Sequence, residues 1–213
     1  MTLTTSRRLA KIKELPWYYS AILHLCLPSV LFITAIIYLI GLYTFSYFHL
    51  ILIPFIFFFL NFMEYGIHKY TFHRIFPGLK FLYNKHTRNH HMLFTDKEMQ
   101  ITNLKEVAYI LVPLPTLLVF TGLLASLGFL ISLILGLNIA LLFLVMSISY
   151  TLFYEWTHLY LHIPPTTFGS GWMHRYLSRF HKIHHNTKHM NHWNFNVTLP
   201  LWDKILKTLR KDY

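Results

Sequence analysis

The fold of this chain is decided by the stretch LPWYYSAILHLCLPSVLFITAIIYLIGLYTFSYFHLILIPFIFFFLNFM, residues 15–63, which contains no Asp, Glu, Lys or Arg. A second stretch without these residues runs from 107 to 154. A helix that crosses a bilayer needs about 20 apolar residues. Each stretch can therefore hold two spanning helices joined by a short return, which predicts four transmembrane helices in two hairpins.

We expect the four spans near residues 17–39, 49–63, 107–124 and 129–153. The chain should turn within the hairpins around residues 41–43 and 125–128, where glycines occur. The other two segments, residues 64–106 and 154–213, should form a helical cap over one end of the bundle. The sequence thus predicts an all-α integral membrane protein with residues 1–213 in a single domain.

The composition supports membrane burial. Hydrophobic residues make up 54% of the chain and charged residues only 13%, whereas a soluble domain carries roughly 25% charge. The net charge of +11 could suggest nucleic-acid binding, but a basic nucleic-acid protein interleaves charge with its core segments. Here the charges are excluded from two long blocks, so we expect no nucleic-acid partner.

The basic residues predict the orientation in the membrane. All 19 lie in the N-terminal tail, in residues 69–105 or after residue 174, and the two short returns contain none. Positive residues near span ends stay on the cytosolic side. We therefore expect both termini and the cap in the cytosol.

The histidines are the strongest functional signal. The chain has 15 of them, and ten fall into four tight groups at or beyond the ends of predicted spans. We predict that these ten ligate metal: His68, His73, His86, His90, His91, His158, His162, His181, His184 and His185. Since ten imidazoles are too many for one ion, two ions with about five nitrogens each is the natural division.

The spacing within the groups predicts which rings share a metal. Residues three or four positions apart lie on one face of a helix. This favours a shared metal for three pairs: His86 and His90, His158 and His162, and His181 and His184.

Two adjacent pairs behave differently. The side chains of His90–His91 and of His184–His185 diverge by about 100° on a helix, so each pair can serve two metals. His68 and His73 are five residues apart, and reaching one metal would require a distorted turn or a helix end.

Carboxylates should play only a supporting part. Soluble di-iron bundles use paired Glu and Glu-x-x-His motifs, whereas this cap is rich in histidine. We expect Glu64 and Glu155 to orient imidazole N–H groups. No catalytic residue beyond the metal ligands and no binding site for an organic cofactor is expected. Imidazole suits Fe, Zn, Cu or Ni, so the residue types alone leave the metal open.

Five histidines remain outside the groups. His24 and His49 lie in spans and should be packed, hydrogen-bonded residues. His174, His189 and His192 lie in the cap, where support of the ligands and a purely structural role both stay open.

With these residues placed, the chain resembles the fatty acid hydroxylase (sterol desaturase) superfamily of membrane di-metal oxygenases. The stretches EYGIHKYTFHR (64–74) and YEWTHLYLH (154–162) are similar to motifs of its ceramide fatty-acid 2-hydroxylase branch. The stretch 181–209, with HX2HH, then Asn194-Phe195 and Trp202-Asp203, resembles the closing signature of the family. The resemblance covers the chain from about residue 50 onward.

The resemblance implies O2-dependent hydroxylation of an aliphatic C–H bond on a lipid acyl chain, in a fatty acid or a sphingolipid-like substrate. It also implies two iron ions, with zinc as the ion that purified protein could carry instead. The N-terminal cytochrome b5 domain that some eukaryotic members of the family carry is absent from this sequence, so electrons should come from a separate cytochrome b5-like or ferredoxin-type donor with its reductase. That absence favours a bacterial inner membrane over the endoplasmic reticulum.

Two alternatives stay open. The second histidine group has the spacing HX3HH, which resembles membrane alkane hydroxylases and acyl desaturases, so the same centre could desaturate a chain or hydroxylate a sterol or carotenoid. A non-enzymatic membrane metal-binding protein or metal transporter is the alternative from another class. Transport would favour ligands near mid-membrane, where this sequence offers only His24 and His49.

Overall fold

The computed structural model describes residues 3–168 and 171–212, and this part of the chain is built of helices. The α-helices are α1 (Leu3–Glu14), α2 (Ala21–Leu42), α3 (Tyr47–Ile67), α4 (Lys80–Tyr83), α5 (His91–Leu93), α6 (Leu114–Leu135), α7 (Leu137–His162), α8 (Pro165–Phe168), α9 (Trp172–His184) and α10 (Leu201–Ile205). Two π-helical segments, His68–Phe72 and Asn84–His90, and a 3-10 helix, Leu104–Tyr109, complete them. The all-α prediction is confirmed.

Four helices, α2, α3, α6 and α7, are long and apolar enough to cross a membrane. The outer faces of three of them carry exposed apolar side chains such as Ile37, Phe55 and Ile134. Exposing these side chains to water would cost free energy, whereas contact with lipid would not. The fourth, α7, is the central helix and packs against the other three. The chain is therefore a multi-pass membrane protein.

The returns of the two hairpins meet at one end of the bundle. The backbone N–H of Thr44 donates to Asn138 Oδ1 at 2.8 Å, and the Asn138 amide donates back to the carbonyl of Thr44. The first return, after Leu42, lies where the sequence predicts it. Because both returns lie together, the histidine-bearing ends of α3 and α7 lie together at the opposite end.

The predicted turn at residues 125–128 is wrong. Helix α6 continues to Leu135, and the chain breaks at Gly136, whose φ of +88° suits glycine. Gly128 has a packing role instead, since a Cβ there would lie 3.0 Å from the Leu144 side chain. Small residues let membrane helices approach closely, so this glycine marks a contact between α6 and α7.

The cap is joined to the spans by a buried apolar cluster. Phe94 and Val107, which lie between α5 and α6, pack with Leu159 of α7 and Ala21 of α2. This packing fixes the segment after α5 against the end of α7, which carries two of the grouped histidines.

Candidate metal centre

The ten grouped histidines come together in two buried clusters of five, the division expected from their number. Cluster A contains His68, His73, His86, His91 and His184. Cluster B contains His90, His158, His162, His181 and His185. Within each cluster one nitrogen per ring lies within 4.8 Å of all the others, so each cluster is suited to one ion of a di-metal centre.

Two of the three predicted shared pairs are wrong. His86 belongs to cluster A and His90 to cluster B, and His181 and His184 are likewise divided between B and A. The third pair, on α7, shares cluster B as expected. Both adjacent pairs serve two clusters, as their divergence predicts.

The π-helical segments explain the first error. In a π-turn each N–H donates to the carbonyl five residues back, which places residues five apart over each other. The N–H of His91 donates to the carbonyl of His86 in this way, and His73 N–H donates to His68 at 3.1 Å. Residues five apart therefore share cluster A, and π-turns supply the distorted geometry that His68 and His73 need.

Ordinary helical geometry explains the second error. At about 100° per residue, positions i and i+4 lie about 40° apart, whereas i and i+3 lie about 60° apart in the other direction. His185, at the C-cap of α9, is therefore the nearer neighbour of His181. His184 points away from both, towards cluster A.

The spacing of the ring nitrogens fits metal ligation. In cluster A, His68 Nε2 lies 2.8 Å from His86 Nε2 and 3.1 Å from His184 Nε2. With metal–nitrogen bonds of about 2.1 Å, two ligands at right angles lie about 3.0 Å apart, and two tetrahedral ligands about 3.4 Å.

Cluster B shows the same spacing. Its close Nε2 pairs, such as His90 with His185 and His162 with His181, are each 3.1 Å apart. The donor set of each cluster would thus fit one metal ion, held by the ring nitrogens.

The two clusters are in direct contact. The rings of His91 and His185 stack with centroids 4.3 Å apart, and those of His86 and His90 stack at 5.0 Å. Each stacked pair joins one ring of cluster A to one of cluster B, so the two ions would be near neighbours.

Three rings of cluster A are oriented by the C-terminal loop. His68 Nδ1–H donates to the carbonyl of Phe195, and His184 Nδ1–H donates to the carbonyl of Trp193 at 2.9 Å. His73 Nδ1 lies 3.3 Å from Asn191 Oδ1. A proton held on Nδ1 leaves the Nε2 lone pair free for metal.

Three rings of cluster B are oriented by a different part of the chain. His162 Nδ1–H donates to the carbonyl of Met99 at 2.7 Å, and His185 Nδ1–H donates to the carbonyl of Phe94. His90 Nδ1–H donates to the carbonyl of Tyr109 at 3.0 Å. All three acceptors lie in residues 94–109, between α5 and the third span.

The expected role of the two carboxylates is wrong. Glu64 accepts hydrogen bonds from the backbone N–H of Thr198 at 3.1 Å and from its hydroxyl at 2.6 Å. Glu155 accepts from the backbone N–H of Val112 at 2.9 Å. Backbone carbonyls orient the rings instead, and sequence motifs do not reveal which carbonyls will do so.

Burial keeps the ligand nitrogens neutral. It lowers the pKa of His184 to about 4. It also lowers the pKa well below the usual range for six further ligands, His73, His86, His90, His91, His181 and His185. Because only neutral imidazole binds metal, the site is prepared for ligation at neutral pH.

A narrow cavity reaches both clusters. His86 of cluster A and His90 and His158 of cluster B line it, and its volume is about 20 Å³, enough for a group about the size of one water molecule. The other lining residues are Phe72, Leu82, Lys85, Tyr109, Ile110, Val112, Pro113 and Tyr154. Burial lowers the pKa of Lys85 to about 7, against the opposing effect of the Glu155 carboxylate.

The remaining histidines lie outside both clusters. In the spans, His24 bonds the hydroxyl of Tyr19 at 3.0 Å and His49 bonds that of Tyr43 at 2.6 Å. Both are the packed, hydrogen-bonded residues that we expected.

The cap histidines are equally remote from the ligand sets. His174 packs on the ring of Tyr160, and His189 lies 3.3 Å from a guanidinium nitrogen of Arg210. His192 is exposed.

Comparisons with known proteins agree with this geometry. The sequence model for "Fatty acid hydroxylase" matches residues 52–208. Among solved structures, "Full length scs7p (only hydroxylase domain visible)" is similar in fold, with a TM-score of 0.61 and 24% sequence identity over 87% of this chain and 67% of that one. No curated protein sequence matches the chain.

Proposed function

This chain belongs to the fatty acid hydroxylase family, and we propose that it is an O2-dependent di-iron hydroxylase of lipid acyl chains. As a member of that family it is a membrane enzyme with a histidine-built di-metal centre. The observation that carries the proposal is the apolar cavity, which reaches both clusters at once. An aliphatic carbon placed there would lie beside both ions.

Iron is the proposed metal, held by the ten cluster histidines through their Nε2 atoms. Two irons would supply the activation of O2 that insertion of oxygen into an unactivated C–H bond requires. An all-nitrogen donor set also accepts zinc, so zinc in a purified sample would reflect availability.

The protein's own part is to position the ions and the substrate. Backbone carbonyls accept the Nδ1 protons of five ligands, so that the Nε2 lone pair of each of these is directed into its cluster. The five are His68, His90, His162, His184 and His185. The rings are buried and the cavity walls are largely apolar, which excludes water from the reacting carbon. The nearby spans would guide an acyl chain from the bilayer to this cavity.

The substrate class and surroundings extend the same proposal. We propose a fatty acid or sphingolipid-like substrate, since EYGIHKYTFHR (64–74) resembles the ceramide 2-hydroxylase branch. The distribution of Lys and Arg favours a centre on the cytosolic side, in a bacterial inner membrane or, in a eukaryote, in the endoplasmic reticulum. Electrons would come from a separate cytochrome b5-like or ferredoxin-type protein.

Lipid mass spectrometry tests the reaction. Cells that express the chain should contain a lipid with one added oxygen atom, which cells without the gene lack. A lipid that has instead lost two hydrogens and gained no oxygen would overturn the hydroxylase assignment in favour of desaturation. An oxygenated sterol or carotenoid with unchanged acyl chains would overturn the substrate class.

A matched pair of variants tests the cavity. Val112→Phe places a ring in the cavity wall and should abolish product while both metals stay bound. Val119→Phe, on the exposed face of α6, is the control and should retain activity. Full activity in Val112→Phe would show that the substrate does not use this cavity.

A further inference from the structure

The N-terminal helix α1 places one buried arginine in the cap. Arg8 is 4% exposed, and its guanidinium lies 3.5 Å from the buried carboxylate of Glu106. Its nitrogens donate to three backbone carbonyls, those of Leu93 and Gln100 at 2.7 Å each and that of Glu98. One side chain thereby holds a folded loop, residues 93–100, at several points.

This loop is the one that orients ligands of cluster B. The carbonyl of Phe94 accepts the Nδ1 proton of His185, and the carbonyl of Met99 accepts that of His162. The carbonyls bonded by Arg8 lie directly beside these two acceptors in the chain. Fixing residues 93, 98 and 100 therefore fixes the carbonyls of residues 94 and 99.

The side chain of Phe94 extends the connection. The guanidinium of Arg8 lies 4.5 Å from the centre of its ring, within the range of a cation–π contact. The same ring contacts His162 and His90, with centroids 5.0 and 5.4 Å apart. Phe94 thus lies between the arginine and two rings of cluster B.

A second contact from α1 reaches the third oriented ring. The hydroxyl of Tyr109 donates to the carbonyl of Lys11 at 2.7 Å. The carbonyl of the same tyrosine accepts the Nδ1 proton of His90 at 3.0 Å. Helix α1 therefore supports every backbone carbonyl that orients a ring of cluster B within the described residues.

Cluster A has other supports. The carbonyls that orient His68 and His184 belong to Phe195 and Trp193 in the C-terminal loop. Asp203 holds this loop by accepting the backbone N–H of Phe195 at 3.0 Å. The two clusters thus rest on separate parts of the chain.

We propose that α1 is a clamp specific for cluster B and that Arg8 is its positioning residue. This rests on the proposed di-metal function. Residues 3–14 lie before residues 52–208, where the family match lies. A planar guanidinium can donate along several directions at once, which a lysine ammonium on its flexible stem does less well.

Metal stoichiometry provides the test. We expect wild-type protein reconstituted with ferrous iron, without oxygen, to hold two ions per chain by elemental analysis. Loss of an outer support weakens metal binding by about 10–100-fold, so Arg8→Ala should hold one ion at a concentration that saturates the wild type. Arg7→Ala, on the exposed face of α1, should still hold two.

Two ligand variants identify the cluster that Arg8 supports. His181→Ala weakens metal binding in cluster B, and His73→Ala weakens it in cluster A. The iron concentration is chosen so that each of these two variants retains one ion per chain. Adding Arg8→Ala to His73→Ala should remove the remaining ion. Adding Arg8→Ala to His181→Ala should leave the remaining ion bound. Equal loss in both backgrounds, or no loss in either, would overturn the clamp.

Further measurements keep the outcomes distinct. Arg8→Lys retains the charge but not the planar fork of donors. This variant should hold an intermediate amount of the second ion. If Arg8→Ala does not fold, the comparison is made with Arg8→Lys, and undiminished metal there overturns the clamp. Fewer than two ions in the wild type would instead contradict the proposed di-metal function.

Discussion

Glu64→Gln tests whether cluster A depends on the carboxylate behind the C-terminal loop. One oxygen of Glu64 accepts the backbone N–H groups of Val197 and Thr198. The other accepts the hydroxyls of Thr198 and Tyr150 and an amide proton of Asn61. The carboxylate is buried, and its backbone partners Val197 and Thr198 lie close in sequence to Phe195, whose carbonyl orients His68.

The structure sets the size of the effect. If the new amide nitrogen faced residues 197 and 198, two buried N–H groups would lose their acceptor, at about 1–3 kcal/mol each. If the amide nitrogen faced the hydroxyls instead, the hydroxyl groups of Thr198 and Tyr150 could rotate to accept its protons. The cost would then be mainly the loss of charge-assisted bonds, about 1.5–3 kcal/mol each. We expect a net loss of about 2–4 kcal/mol.

Thermal unfolding in detergent measures this loss. For a chain of this length it corresponds to a decrease in the midpoint of about 5–15 °C. Glu14→Gln is the control, because the exposed Glu14–Lys11 pair is worth little. In the His181→Ala background, Glu64→Gln should also weaken binding of the ion that remains in cluster A. An unchanged midpoint together with undiminished metal would refute the reasoning.

Two further predictions concern pH and helix packing. Metal-free protein should lose stability as pH falls from 7.5 to 5, because burial lowers the pKa of His184 to about 4 while the unfolded value is about 6.5. The contribution of neutral His184 to stability is full above about pH 6.5 and is lost as pH falls towards 4. About 2 kcal/mol of it is lost by pH 5. A thermal midpoint that stays constant over this range would contradict neutral burial. Gly128→Val should lower the free energy of unfolding by about 1–3 kcal/mol, and with it the thermal midpoint, through overpacking against Leu144. Gly122→Val, where a Cβ meets nothing within 4 Å, is the control, and equal effects of the two would be evidence against the contact.

The membrane architecture could be predicted from charge placement, but the second turn could not. Two charge-free stretches and a bilayer of fixed thickness leave little choice but four helices. Inside residues 107–154 the sequence offers several glycines that could break a helix. Gly128 packs against a neighbouring helix and Gly136 adopts a positive φ, and only the tertiary structure distinguishes these two uses.

The ten ligands could likewise be predicted, but not their distribution. Ligand type and number follow from histidine groups at span ends. Their assignment to clusters depends on whether the local helix is of α or π type, which is decided by the packing of the cap. The HX3HH group shows this, since its π-turn pairs His86 with His91 and sends His90 to the other cluster. The supporting carbonyls and Arg8 carry no motif at all.

Separate supports for two touching clusters suggest how the centre keeps its geometry. The adjacent pairs His90–His91 and His184–His185 each place one ring in cluster A and the other ring in cluster B. The backbone of each pair therefore sets part of the distance between the two sites. The direction of individual rings is set elsewhere, by residues 94–109 for cluster B and by residues 191–195 for cluster A. Disturbing one support should therefore change the occupancy of one site and leave the spacing of the centre unchanged. A histidine at a shared position, such as His184, combines both functions, so His184→Ala should cost more activity than the loss of either support alone.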